Sequence, residues 1–224
     1  MGEDQLMYID KREIEKAEEW KPSGNPWLLI LPVMLATFMY ALDETVANVA
    51  LPHIAGTYSV SSQESIWVLT SYLMASSIVI PMIDFFCKFL GRKNFFMLGV
   101  FVFTIASFLC GISTSIGMIV VARALQGFGG ACLMPMAQSV CMETFTGEAR
   151  NKAMAVFGLV VIVAPILGPV MGGWITENWS WPYIFFINVP VGFICIALAK
   201  KFLEDPPYAV SYTHLRAHET LMNL

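Results

Sequence analysis

The 224-residue chain is 57% hydrophobic and only 13% charged, with a formal net charge of −4 and a mean hydropathy of +0.65. A soluble domain carries about 25% charged residues, so this composition excludes an ordinary water-soluble globule. The small acidic excess and the absence of a basic block leave no footprint for nucleic acid.

The apolar residues fall in long runs uninterrupted by charge, and such runs need lipid as their solvent. Only helices and closed barrels satisfy every backbone polar group in lipid. Barrel strands alternate apolar and polar residues, and these runs do not. The expectation is an all-α membrane protein, a bundle of six transmembrane helices.

In chain order, residues 1–26 are charged and read as a cytosolic N-terminal tail. They show no cleavable signal pattern. Spans are predicted at 27–52, 66–87, 94–112, 115–141, 153–175 and 182–201, each long enough for a hydrocarbon core of ~30 Å. The bundle occupies 27–203, and residues 204–209 begin a cytosolic linker. The last stretch, 210–224, reads VSYTHLRAHETLMNL and holds two of the chain's three histidines, His214 and His218. It resembles a translated sequencing adapter and is expected to be a non-native tail.

Lys and Arg set the orientation. The tail carries Lys11, Arg12, Lys16 and Lys21. The second connection carries Lys88, Arg92 and Lys93, the fourth Arg150 and Lys152, and the end of span six Lys200 and Lys201. The odd-numbered connections carry none. This alternation predicts a multi-pass protein of the cell (inner or plasma) membrane with a cytoplasmic N-terminus. Cys87, Cys110, Cys132, Cys141 and Cys195 lie in or beside apolar segments without C-x-x-C spacing, and they read as small apolar fillers. No metal site, cofactor site or nucleophile–base arrangement is predicted, so no enzyme is expected.

Three charges are expensive where they stand. Arg123 lies inside span four, in IVVARALQGFGGA, and a cation at mid-helix costs about 2.5–3.5 kcal/mol on insertion scales. Asp43 and Glu44 lie inside span one, in YALDETVANVALP. Asp43 is nine residues before Pro52, roughly 13 Å below the outer surface, and Arg123 is eight after Ser115, roughly 12 Å below it. A carboxylate and a guanidinium at one depth should pair. Helical spacing places Glu44 with Thr37 and Asn48, which favours Glu44 as the cavity-facing acid. Asp43 shares its face with Ala36, Ala47 and Ala50, a surface for close helix contact. In span five, GLVVIVAPILGPVMGGW sets Gly168 and Gly172 four apart as a packing face. Pro165 and Pro169 should bend that helix.

These motifs resemble a known family. LDETVANVALP, ARALQGFGGA, APILGPVMGG and WSWPYIFFINVPVG occur in the order of the drug:proton antiporters of the major facilitator superfamily, and they are most similar to the fourteen-span subgroup. Ser180 stands where that family usually has Arg. The resemblance implies that the span-one Asp43 and the span-four Arg123 serve proton coupling, with Glu44 as a second candidate. It places Asn48, Gln126, Gly127, Pro165, Gly168, Pro169, Gly172 and Gly173 in the substrate pathway and helix packing. The connection after span two departs from the family's G-x-L-a-D-R-x-G-R-K. It reads DFFCKFLGRK, keeping Gly91, Arg92 and Lys93 but placing Asp84, Lys88 and Phe89 where Gly, Asp and Arg are usual. Asp84 and Lys88 are spaced to pair on one helix.

The resemblance implies the N-terminal half of a proton-coupled secondary transporter that exports lipophilic or cationic small molecules by alternating access. Its partners would be substrate, protons, the lipid bilayer and a missing C-terminal half. The alternatives are a transporter of another solute on the same fold, or a fragment that does not transport.

Overall fold

The computed structural model describes residues 24–204. Most of the expected cytosolic tail, the rest of the linker and the expected non-native tail lie outside the described residues.

Six long apolar helical runs cross the bundle: α1 Pro26–Tyr58, α2 Ser62–Leu90, α3 Arg92–Gly111, α4 Ile116–Thr144, α5 Gly147–Asn178 and α6 Tyr183–Phe202. Their number matches the sequence reading, and their ends correct it. Span one does not stop at Pro52 but continues through Pro32 and Pro52 to Tyr58. A proline removes one intrahelical bond and leaves the rest of the ladder intact. The helix ends instead at Ser59, in the left-handed conformation, whose N–H reaches back to the last turn. Span five likewise runs unbroken through Pro165 and Pro169, and it begins six residues earlier than expected.

Three runs are interrupted. In α2 a 3₁₀ turn at Ile80–Met82, containing Pro81, separates Trp67–Val79 from Ile83–Leu90. In α4 the helix pauses after Gly130 and resumes at Leu133. In α6 the turn Tyr183–Phe186 is offset from the main segment Asn188–Phe202. The connection between α2 and α3 is Gly91 alone, at φ 81°. That backbone region is open to glycine and strained for other residues.

α1 is the hub of the bundle. It packs along α5, along α6 and against the second half of α4, while α4 also packs on α2 and α3, and α6 on α3. Two apolar clusters fill the interior. One, around Met39, Phe96, Phe103, Leu133 and Phe157, lies toward the end where the chain enters. The other, around Val46, Ile54, Ile119, Ile184 and Phe185, lies toward the opposite end. The outer surface is also apolar, with Ile78, Phe89, Val121, Leu159, Ile162, Ile166 and Val170 exposed. An apolar exterior around a packed apolar interior is the pattern of a protein solvated by lipid.

Contacts at the two ends fix the relative placement of the connections. The Trp27 ring meets Phe145 at 4.9 Å, and the Lys93 ammonium donates to the Lys200 carbonyl at 3.0 Å. The chain entry, connections two and four, and the end of α6 therefore share one end. At the other end, the Tyr58 hydroxyl contacts Ser113 and the Trp181 indole donates to Thr57 at 2.9 Å. All the basic connections thus lie at one end.

Candidate functional site

Asp43 and Arg123 meet in the middle of the bundle. Arg123 lies two turns into α4 and is fully buried, and Asp43, midway along α1, is 2% exposed. Arg123 Nη1 donates to Asp43 Oδ2 at 2.6 Å. This contact joins the two charges that were expected to pair, although α1 runs on past Pro52, from which the depth of Asp43 was reckoned. A charge pair in a low-dielectric interior also needs hydrogen bonds for its remaining lone pairs and protons. Here Gln126 Nε2 donates to Asp43 Oδ1 at 2.9 Å and Asn188 Nδ2 donates to the same oxygen at 2.7 Å. Arg123 Nη1 also donates to Gln126 Oε1 at 2.9 Å, and Arg123 Nε to the Val68 carbonyl at 3.3 Å.

Ser107 on α3 closes the network. Its hydroxyl accepts from Gln126 at 3.2 Å and from Asn188 at 3.1 Å, and donates to the Phe185 carbonyl at 3.0 Å. That carbonyl lies at the break in α6. Two rings approach the guanidinium, that of Tyr72 at 4.2 Å from its central carbon and that of Phe185 at 5.6 Å. Cation–π attraction adds to the compensation of the charge. Five of the six helices therefore contribute a group to one buried carboxylate–guanidinium centre.

Glycines let the neighbouring backbones come close enough to build it. A Cβ on Gly127 would strike the Tyr72 carbonyl, and the Ser76 hydroxyl spans the same seam, donating to both Tyr72 and Gly127 carbonyls. A Cβ on Gly168 would strike the Thr45 side chain, and one on Gly172 would press on Val46 at 3.2 Å. Gly168 and Gly172 thus seat α5 on the turn of α1 that follows the two acids. Gly173 faces open space and Pro169 is exposed, so these two do not join that contact.

Glu44 and Asn48 are not part of the buried centre. Glu44 is half-buried, Asn48 is exposed, and the Asn48 amide donates to the Glu44 carbonyl at 3.1 Å. Helical spacing correctly set these two on the open face of α1, although Thr37, grouped with them, is buried and donates to the Val33 carbonyl. The acid that pairs with Arg123 is Asp43.

At the basic end, Arg92 is buried and forms an ion pair with Glu143 at the close of α4. Asp84 and Lys88 are both exposed and do not form the ion pair their spacing suggested. Glu143, Asn188, Ser107 and Tyr72 escaped the sequence reading. Asn188 alone left a usable signal, a lone amide in the apolar run FFINVPVG.

Fold and site together define a polytopic membrane protein: six lipid-solvated helices around one buried charge pair. The model of the Major Facilitator Superfamily matches residues 33–219, and the chain belongs to that superfamily. It is 40% identical over 176 residues to the multidrug export protein EmrB of Haemophilus influenzae, covering 79% of this chain and 34% of that protein. It is 42% identical over 184 residues to the fatty acid resistance protein FarB of Neisseria gonorrhoeae, covering 82% and 36%. The multidrug transporter protein MdtP of Bacillus subtilis is 37% identical over 191 residues, covering 85% and 35%. The chain thus spans about a third of the length of these relatives. Its fold resembles the proton:xylose symporter XylE, with a TM-score of 0.73 at 13% identity, over 85% of this chain and 47% of that one.

Proposed function

We propose that this chain forms the N-terminal bundle of a proton-coupled secondary transporter that exports lipophilic or cationic small molecules by alternating access. The observation that carries the reading is the Asp43–Arg123 pair, buried within the membrane-spanning helices and tied to α2, α3 and α6. Ionisable groups at that depth mark ion and substrate pathways. Protonation of Asp43 would neutralise one partner, weaken the tie from α1 to α4 and α6, and leave Arg123 seeking another acceptor. A change of helix positions driven by one proton is what coupling requires. Export of drugs is supported by the names of the relatives.

In this reading the end that gathers Lys88, Arg92, Lys93, Arg150, Lys152, Lys200 and Lys201 faces the cytoplasm, in the inner or plasma membrane. Residues 1–26 form a cytosolic tail, 204–209 begin a linker, and 210–224 are foreign to the native protein. The Arg92–Glu143 pair, with Gly91 and Lys93, holds the cytoplasmic ends of α3 and α4 and serves as the gate. A second bundle closes the substrate cavity against the face that exposes Asn48.

Acidified membrane vesicles containing the full-length protein test the reading. A proton gradient should drive accumulation of a lipophilic dye, and Arg123→Ala should abolish it while membrane insertion persists. Unchanged dye movement in that variant would refute the coupling role.

A further inference from the structure

We propose that Glu44 is the carboxylate that receives the positive group of a cationic substrate, in the state in which Asp43 is paired with Arg123 inside the bundle. This deepens the transport reading and rests on it.

The two adjacent acids stand in opposite circumstances. Asp43 is enclosed, and both its oxygens are occupied by the three donors from Arg123, Gln126 and Asn188. A substrate cation would have to displace the guanidinium to reach it. Glu44 is next in sequence, so it lies at the same depth but about 100° around the helix. It is half-buried, and while its backbone carbonyl accepts from Asn48, its carboxylate has no hydrogen-bond or ion-pair partner among the described residues. An intramembrane carboxylate without a partner is costly and calls for a cation.

The surroundings of Glu44 suit an organic cation. Tyr40, one turn before it on the same face, is part-exposed, and its ring lies 6.0 Å from that of Tyr72. Asn48, one turn after it, is exposed. A carboxylate flanked by an aromatic face and an amide can bind an ammonium or a delocalised cation by charge, by cation–π contact and by a hydrogen bond. The other ionisable groups around Glu44 are Asp43 and Tyr40 on α1, Arg123 on α4 and Tyr72 on α2. The one full positive charge among them, Arg123, is already matched by Asp43. A second cation on this face would therefore be matched by Glu44. The same argument disfavours carboxylate-bearing lipids, which Glu44 would repel.

The test uses the purified full-length protein, tetraphenylphosphonium as the cation and Nile red as a neutral lipophile. Glu44→Gln should weaken tetraphenylphosphonium binding by about tenfold or more and leave Nile red binding unchanged. Glu44→Asp should retain most of the cation binding. A mutation-free arm labels carboxyl groups with dicyclohexylcarbodiimide and maps the adducts by mass spectrometry. Glu44 should be modified, Asp43 spared, and tetraphenylphosphonium should protect. Equal cation affinity in wild type and Glu44→Gln, or labelling of Asp43 without Glu44, would overturn the proposal. So would an equal loss of both ligands in a folded variant. If the wild-type protein moves no dye under a proton gradient, the transport reading itself fails; if it moves the cation and Glu44→Gln does so equally, only the role of Glu44 fails.

Discussion

Asn188 Nδ2 lies 2.7 Å from Asp43 Oδ1, joining α6 to α1 through residues 145 positions apart. The amide sits at the first position of the main α6 segment, directly after the break at Ile187. The break lets the Phe185 carbonyl accept from Ser107, and Ser107 in turn accepts from Asn188. The interruption in α6 is thus part of the polar centre, which it supplies with one donor and one acceptor.

Asn188→Ala should therefore destabilise the bundle, because it removes one of two donors from a buried carboxylate oxygen and one donor from Ser107. Loss of such a partner costs about 1–3 kcal/mol. Asn188→Asp should cost more, since it places a second negative group against Asp43. Thermal unfolding in detergent micelles should rank wild type above Asn188→Ala and Asn188→Asp last. A ranking with Asn188→Asp equal to wild type would show that this amide does not hold Asp43.

Arg123→Ala leaves Asp43 buried with only amide donors. Removing one member of a buried pair costs about 3–5 kcal/mol, so protein that inserts should unfold at a clearly lower temperature. Asp43→Asn should be milder, because it keeps an acceptor oxygen beside Arg123. The double variant Arg123→Met with Asp43→Leu should recover part of the stability of Arg123→Ala while remaining inactive. Transport by the double variant would contradict the assignment of coupling to this pair.

Much of this centre was legible from spacing and depth. Six spans follow from six apolar runs, and the meeting of α1 and α4 follows from two charges at one level. The choice between Asp43 and Glu44 was harder because adjacent residues differ by only 100° of helix, and both faces of α1 continue apolar. Packing decides it: the small face of Ala36, Ala47 and Ala50 is the buried one, each fully enclosed, and Asp43 lies on it. Asn188 and Ser107 were missed because a single neutral polar residue in an apolar run carries no periodic signal. Their importance comes from neighbours on other helices. The sequence reading ends span one at Pro52, whereas in an apolar span the surrounding ladder outlasts one missing bond; it starts span five late because Arg150 and Lys152 read as connection, whereas the helix begins at Gly147.

The gathering of basic connections at one end makes a topology prediction. Single cysteines at the exposed positions Glu148 and Glu177 lie at opposite ends of α5. In a background where the native cysteines are replaced, a membrane-impermeant maleimide added to intact cells should label position 177 and miss 148. Inverted vesicles should give the reverse. Labelling of 148 from outside would turn the bundle over and place the Lys-rich end outside the cell.

Gly168 offers the sharpest test of how the site is assembled. A Cβ there would lie 2.7 Å from Thr45 Cβ and closer still to its hydroxyl. Thr45 has little freedom to yield. It is β-branched, and its hydroxyl is bonded to the carbonyls of Ala41 and Leu42, so it resists rotation within a helix. The clash must be relieved by moving α5 away from α1, the helix that carries Asp43 and Glu44. Overpacking of this kind costs about 1–3 kcal/mol. Gly173 is the internal control: it lies one turn further along the same helix with nothing within 4 Å of an added Cβ. Gly173→Ala should be neutral or stabilise by up to about 1 kcal/mol through helix propensity. Gly168→Ala should lower the unfolding temperature, and Thr45→Ala in the same chain should restore part of the loss, because it removes the hydroxyl, the nearest colliding atom, while the Cβ contact remains. Equal effects of the two glycine substitutions, or no rescue by Thr45→Ala, would mean that α5 is not seated on α1 through this contact.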